Sequence, residues 1–340
     1  MAGVLLGLLL SQSVQPPARA DDGTVTRTTL AVDKEFTPGP SVNMVSRNIT
    51  LQTGESRHLR ARLEATSSTT AIVGMTVRIR CFDVSGAPVG IVSASGRNHE
   101  GYDTSTYAKP GHLPIYADLL FTAPAAGRYT CGLFGSTYAS SASDYSLTAV
   151  AGGTWLESSD RNQKGAGWWQ NPACESDDRG GLCTYVGQGA ANPDAFVFYN
   201  DGSPSRRWTA DPAAVSVDVL ANIELTTCPV GTASCAAVMH DFPRGVGSVV
   251  DLRLQSIQLD TTGHTCRTHE QYVRKAVTDD AHHSVANLAI AGIDIASTCG
   301  TRAFVMRIHV KHIEGQTVKI DGVQGGATSL TNGIAINRYS

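Results

Sequence analysis

Apolar and polar residues alternate with period two along most of the chain, and helical periodicity is nearly absent. Met75, Val77, Ile79 and Cys81 alternate with Thr76, Arg78 and Arg80; similar stripes run over 59–65, 115–121 and 129–133. An extended backbone sends successive side chains to opposite faces, so these stripes predict half-buried strands. Turn-forming Ser85-Gly86-Ala87-Pro88 and Ala123-Pro124-Ala125-Ala126-Gly127 separate them. In the second half Val215, Val217, Val219, Ile223 and Leu225 keep one parity, as do Phe304, Met306, Ile308 and Val310. Two stripes change parity, one near Gln255-Ser256 and one across Gly292, and each change reads as a β-bulge. Many short strands with frequent turns must bury their apolar faces sheet on sheet. The expected fold is all-β, two consecutive antiparallel β-sandwiches.

The expected boundary is Ala151-Gly152-Gly153, giving one domain over 21–150 and a second over 151–340 with a Trp-rich loop segment at 154–214. Ahead of them lies the short apolar run of residues 2–10, then Ala18-Arg19-Ala20. Small residues at 18 and 20 suit a signal peptidase, so 1–20 is expected to be a signal peptide and the protein to be secreted. A membrane-spanning helix needs about 20 apolar residues, and no stretch of the mature chain is that long. The chain has 340 residues, 41% of them hydrophobic, and net charge −3. That suits folded domains and gives no basic excess, so nucleic acid is not an expected partner.

An exported chain with an even number of cysteines, here eight, is expected to oxidise them. Cys81 and Cys131 both have inward parity. Cys174 and Cys183 flank ESDDRGGL, Cys228 and Cys235 flank PVGTAS, and Cys266 and Cys299 remain. Sequential pairing is expected. No C-x-x-C occurs, so cysteine-bound zinc is not.

The segment Ala125-Ala126-Gly127-Arg128-Tyr129-Thr130-Cys131 resembles the A-x-G-x-Y-x-C end of immunoglobulin-type sandwiches. That resemblance implies a corner hydrogen bond from Tyr129 to upstream backbone, and Cys81 as the partner of Cys131. No tryptophan follows Cys81 within 82–95, a departure from the family pattern. Leu119–Gly127, Tyr129 and Asp144-Tyr145-Ser146-Leu147 together also resemble the bacterial pre-peptidase C-terminal type of sandwich, an accessory module of secreted hydrolases. Each resemblance covers about residues 45–150 and implies a sandwich without a reaction.

Local catalytic signatures mostly fail, and a Ser/His/Asp triad assembled from distant residues stays open. There is no G-x-S-x-G elbow, and His269-Glu270 lacks the second zincin histidine because Val273 holds its place. Asp279, Asp280, His282 and His283 form a polar turn whose carboxylates and imidazoles suit a divalent metal, with a solvated turn as the plainer reading. All four tryptophans fall within 154–214. Flat aromatics beside amides and carboxylates suit sugar recognition, which makes Trp168, Trp169, Gln170, Asn171, Asp177 and Asp178 the candidate ligand residues. The competing use of these tryptophans is packing. Arg60 and Arg62, with Arg78 and Arg80, would form a basic ladder for an anionic polymer if their strands were neighbours. Arg307, His309 and Lys311 share an outward face and read as hydrated surface.

The sequence thus leads to a secreted non-catalytic binding protein that recognises cell-envelope carbohydrate or a partner protein and needs no cofactor. Two alternatives stand beside it: a metal-dependent hydrolase built on 279–283, and a structural subunit of an extracellular assembly.

Overall fold

The structure is a computed structural model and describes residues 25–69, 71, 73–99, 113–138, 144–159, 163–170, 184–187, 194–198, 207–227, 247–277, 283–320 and 331–339. Within them 21 strands, numbered in chain order, form four antiparallel sheets. The fold is all-β, as the alternation predicts.

The first sheet is centred on β4 (Ser56–Ser67). One edge of β4 pairs with β7 (Leu113–Thr122). Its other edge is shared by β10 (Trp155–Ser159) and β9 (Leu147–Ala149), which continue into β1 (Val25–Thr29) and β2 (Lys34–Phe36) respectively. The facing sheet runs β3 (Val42–Leu51), β8 (Gly127–Tyr138), β5 (Val73–Phe82), β6 (Pro88–His99). Leu59, Leu63, Ile115 and Leu119 of the first meet Val77, Ile79 and Leu133 of the second in one core. A fully buried side chain of this size contributes about 1.5–3 kcal/mol. Past the glycines at 152–153 the chain still adds β10 to this sandwich, with Trp155 opposite Arg62. The Thr154 hydroxyl, donating to the Glu64 carbonyl at 3.0 Å, holds the return.

In the second half, β15 (Ser216–Thr227) is flanked on one side by β18 (His283–Asp294). Its other side pairs with β21 (Thr331–Arg338) and β20 (Val318–Ile320), which carry β11 (Gly165–Gln170) and β12 (Thr184–Val186). The opposing sheet runs β17 (Thr265–Val277), β16 (Ser248–Leu259), β19 (Ala303–Gly315), with β13 (Ala195–Phe198) and β14 (Arg207–Thr209) sharing the far edge of β19. Val217, Val219, Ile223 and Leu225 meet Leu252, Leu254, Phe304, Met306 and Ile308 in the second core.

Of the two expected bulges, one is present. Val217 pairs with Ile293 and Val219 with Ile290, so β18 carries an extra residue opposite Asp218. Gly292 takes φ 64° there and donates its N–H to Asp218 Oδ1 at 2.8 Å. At Gln255-Ser256 the register stays unbroken, Gln255 opposite Glu270 and Ser256 opposite His269. The parity change arises because 254–259 are buried on both faces, so apolar residues are accepted at either parity.

Cys81–Cys131 and Cys266–Cys299 are bonded. By loop-closure entropy each stabilises by about 4 kcal/mol. Cys81 lies directly opposite Cys131 on the paired strands β5 and β8, at a Cα separation of 4.0 Å. The bridge therefore ties strands of one sheet, unlike the inter-sheet bridge of immunoglobulin domains. The Tyr129 hydroxyl donates to the Ala125 carbonyl, the hydrogen bond that the resemblance implies. Cys174, Cys183, Cys228 and Cys235 lie outside the described residues.

The two sandwiches meet through outer faces. Leu120 of β7 packs with Leu220, Ala289, Ile334 and Ile336 of β15, β18 and β21. Asn332 Nδ2 donates to the Asp118 carbonyl at 3.1 Å, and its Oδ1 accepts from Asn222 N at 3.1 Å.

Candidate functional site

Two of the charged sheet faces differ in what their charges already do.

On the first, the outer side of β4 and β7, His58, Arg60 and Arg62 stand in a row, as alternation requires. Register places Asp118 opposite Arg60. Its Oδ1 lies 3.0 Å from His58 Nε2 and 3.3 Å from Arg60 Nε, and its side chain is 2% exposed. Burial pushes the Asp118 carboxyl up, but the Arg60 and His58 interactions outweigh it and hold the group below the usual carboxylate range. Arg62 pairs with Glu64 at 2.5 Å and donates to Tyr116 Oη at 3.1 Å. Glu157 on β10 takes Arg27, whose guanidinium also sits 4.3 Å from the Trp155 ring centre. The cations here are matched by carboxylates and partly covered by the sandwich contact.

The expected ladder of Arg60, Arg62, Arg78 and Arg80 does not assemble. β4 and β5 belong to facing sheets, so their outward residues lie on opposite sides of the sandwich. Arg78 donates to the Ser41 and Ser136 hydroxyls, and Arg80 lies 5.9 Å from the Phe82 ring centre.

The tryptophans stand on strands, not loops: Trp155 on β10, Trp168 and Trp169 on β11, Trp208 on β14. Trp168 is 8% exposed and belongs to the second core, as does Trp208, stacked on Phe304 at 5.4 Å. Sequence composition marks this stretch as loop because glycine, asparagine and aspartate crowd between short strands. Pairing with β19 and β21 overrides that local signal. The side chains of Trp169 and Gln170, and residues Asn171, Asp177 and Asp178, lie outside the described structure. So do Asp279, Asp280 and His282. His283 begins β18, its Nδ1 2.9 Å from Thr226 Oγ1. Among the described residues no cluster of His, Cys, Asp or Glu is arranged to hold a metal.

The second charged face is the outer side of β16, β17 and β19. Register sets its rows: Arg274, Asp251 and Lys311; then Tyr272, Arg253 and His309; then Glu270, Gln255 and Arg307. Five of these side chains close a ring of hydrogen bonds. Gln255 Nε2 and the Tyr272 hydroxyl donate to the two oxygens of Glu270. Arg253 Nη1 donates to Tyr272 Oη at 3.4 Å, and its Nη2 lies 3.1 Å from His309 Nδ1. His309 Nε2 meets Gln255 Oε1 at 2.6 Å. Arg253 Nη2 is also 3.1 Å from Nε2; a guanidinium only donates and an amide oxygen only accepts, an arrangement that suits a neutral imidazole with its proton on Nε2. Burial, then Arg253 and Arg307, push its pKa down to about 4. Tyr272 is 62% exposed, the one exposed aromatic among the described side chains, with the Arg253 guanidinium 5.7 Å from its ring centre.

Sequence reasoning missed this site. His309, Lys311 and Arg307 read as plain hydrated surface, and Glu270 entered only as part of a broken zincin pattern. The signal was the alternation Glu270, Tyr272, Arg274 on a strand whose partner supplies Arg253 and Gln255. That partnership is long-range and invisible without pairing.

No protein-family model matches the chain, and no curated protein does. Solved structures resemble it weakly. Infectious bursal disease virus, Gx strain, is 11% identical with a TM-score of 0.26, covering 97% of this chain and 82% of that one. The N-terminal CBM22-1–CBM22-2 tandem domain of Xyn10C from Paenibacillus barcinonensis is 9% identical with a TM-score of 0.23, covering 92% and 95%. At such scores these likenesses say nothing of function.

Proposed function

We propose that this is an exported, non-catalytic protein that binds carbohydrate on the outer face of β16, β17 and β19. The observation that carries the reading is Tyr272, an exposed ring fixed through its hydroxyl and flanked by Arg253. An aromatic face covers the C–H side of a pyranose while neighbouring polar groups bond its hydroxyls. The hydrogen-bonded ring holds these groups in place before a ligand arrives, which lowers the ordering cost of binding. The two carboxylates beside Tyr272 and Arg253 are committed to the architecture of the face. Glu270 serves Tyr272 and Gln255, and Asp251 takes both nitrogens of Arg274 at 2.7 and 2.8 Å. That commitment favours a binding surface over a hydrolytic centre. Disulfide bonding supports the extracellular location.

The test is titration calorimetry of the mature chain against neutral and acidic oligosaccharides, repeated with Tyr272→Ala. The expected result is binding to members of the panel and a loss of about tenfold or more in the variant, at an unchanged melting temperature. Unaltered affinity in Tyr272→Ala, or no binding across the panel, overturns the reading.

A further inference from the structure

Along β19 the same face carries a line of cations. Arg307 and Lys311 point outward four residues apart, about 14 Å at ~3.4 Å per residue. Arg207 on β14, opposite Val305, adds the next row beyond Arg307. Beside the line, Arg253 lies opposite His309. The carboxylates do not cancel it. Asp251 is held by both nitrogens of Arg274 and draws only in part on Lys311, its cross-strand neighbour, and Glu314 lies at the far end, where it acts on Arg274. Glu270 comes within 3.7 Å of Arg253 while accepting from Tyr272 and Gln255. Arg207 and Arg307 make no ion pair among the described residues. The whole chain is acidic, with net charge −3, so this surplus is local.

We infer that the ligand of this face is an acidic polysaccharide, a linear chain whose carboxylate or sulfate groups meet Arg207, Arg307, Arg253 and Lys311 while a sugar ring lies against Tyr272. The inference rests on the carbohydrate reading above and specifies its chemistry. Guanidinium groups suit both anions through paired N–H donors. A row parallel to a strand matches a polymer with charges repeated along its length better than a compact solute. The exposed ring of Tyr272, beside Arg253 and two strands across from the line, favours a sugar chain over an acidic peptide.

The mature chain is titrated with oligogalacturonate, heparin oligosaccharides, neutral xylo-oligosaccharides and poly-glutamate. The same probes are applied to Arg307→Gln/Lys311→Gln, and His309 is followed by NMR. Binding is expected for an acidic sugar, the carboxylated and sulfated arms telling which anion is taken. Its affinity should weaken with salt and fall about tenfold or more in the double variant, two charge-assisted contacts being lost. An anion seated by Arg253 and Arg307 offsets the charges acting on His309, so its pKa rises in the complex. Binding of the neutral sugar with His309 and the double variant unaffected overturns the acidic inference and leaves the carbohydrate reading standing. Poly-glutamate binding while all sugars fail overturns both in favour of an acidic protein partner, and failure of every probe also overturns both.

Discussion

The outer face of β4 and β7 and the outer face of β16, β17 and β19 are built by the same rule and put to different ends. Each is the polar side of a strand set whose other side is core. On the first, Asp118, Glu64 and Glu157 answer Arg60, Arg62 and Arg27, and the neighbouring sandwich closes over Leu120. On the second, Arg207 and Arg307 have no carboxylate partner among the described residues, and Tyr272 faces outward. Matched charges permit a face to be covered, because a buried ion must be paired. An unmatched row stays at the surface, where a ligand can supply the missing charge.

The comparison breaks most sharply at Asp118. Asp118→Ala strands Arg60 and His58 under cover, so a loss of about 3–5 kcal/mol is expected, read from urea denaturation. A change below ~1 kcal/mol would show that the first face is not held by its pairing. Next comes Trp168→Ala, expected to cost about 3 kcal/mol because it empties a core position. If the variant keeps its stability and loses sugar binding, the ligand platform lies on β11 instead.

Acid separates the two faces in another way. His309 is neutral in the folded protein, with a pKa near 4 against an ordinary 6.5. Between those values the unfolded chain binds a proton that the folded one refuses. Stability from this group is complete above about pH 6.5 and falls as pH drops toward 4. In His309→Gln the slope over that window should flatten, as thermal melts at stepped pH would show; an unchanged slope removes His309 as its source. Asp118 has its pKa held down, so its contribution is present above the unfolded carboxylate pKa and is lost as pH falls through the folded value. Smallest on stability is Tyr272→Ala, expected within about 0.5 kcal/mol of the parent because the ring is exposed. A larger loss would mean that the residue serves the fold.

Much of the architecture was legible in the sequence because period two is imposed by the backbone. The stripes at 59–65, 75–81, 115–121 and 304–310 became inner faces. Two cysteine pairs could be chosen, since Cys81 and Cys131 shared a parity and Cys266 and Cys299 were left over. The site was not legible. Its ring joins Arg253 and Gln255 to Glu270 and Tyr272, about 15–20 residues on, and to His309, more than 50 residues away. Parity says that such residues face outward but not which strands lie side by side. The same gap produced the unformed arginine ladder, because alternation on β4 and β5 is identical whether they pair or face one another. Tryptophan misled for a related reason. A bulky ring in a stretch rich in glycine and aspartate looks like a loop platform, while Trp168 closes a core edge.

The most direct test of the account is NMR shift mapping on the isotope-labelled protein as an acidic oligosaccharide is added. Perturbation should concentrate at Arg253, Tyr272, Arg307 and His309 and leave His58, Arg60 and Asp118 unmoved. Shifts gathered on β4 and β7, or none at any sugar concentration, would contradict it.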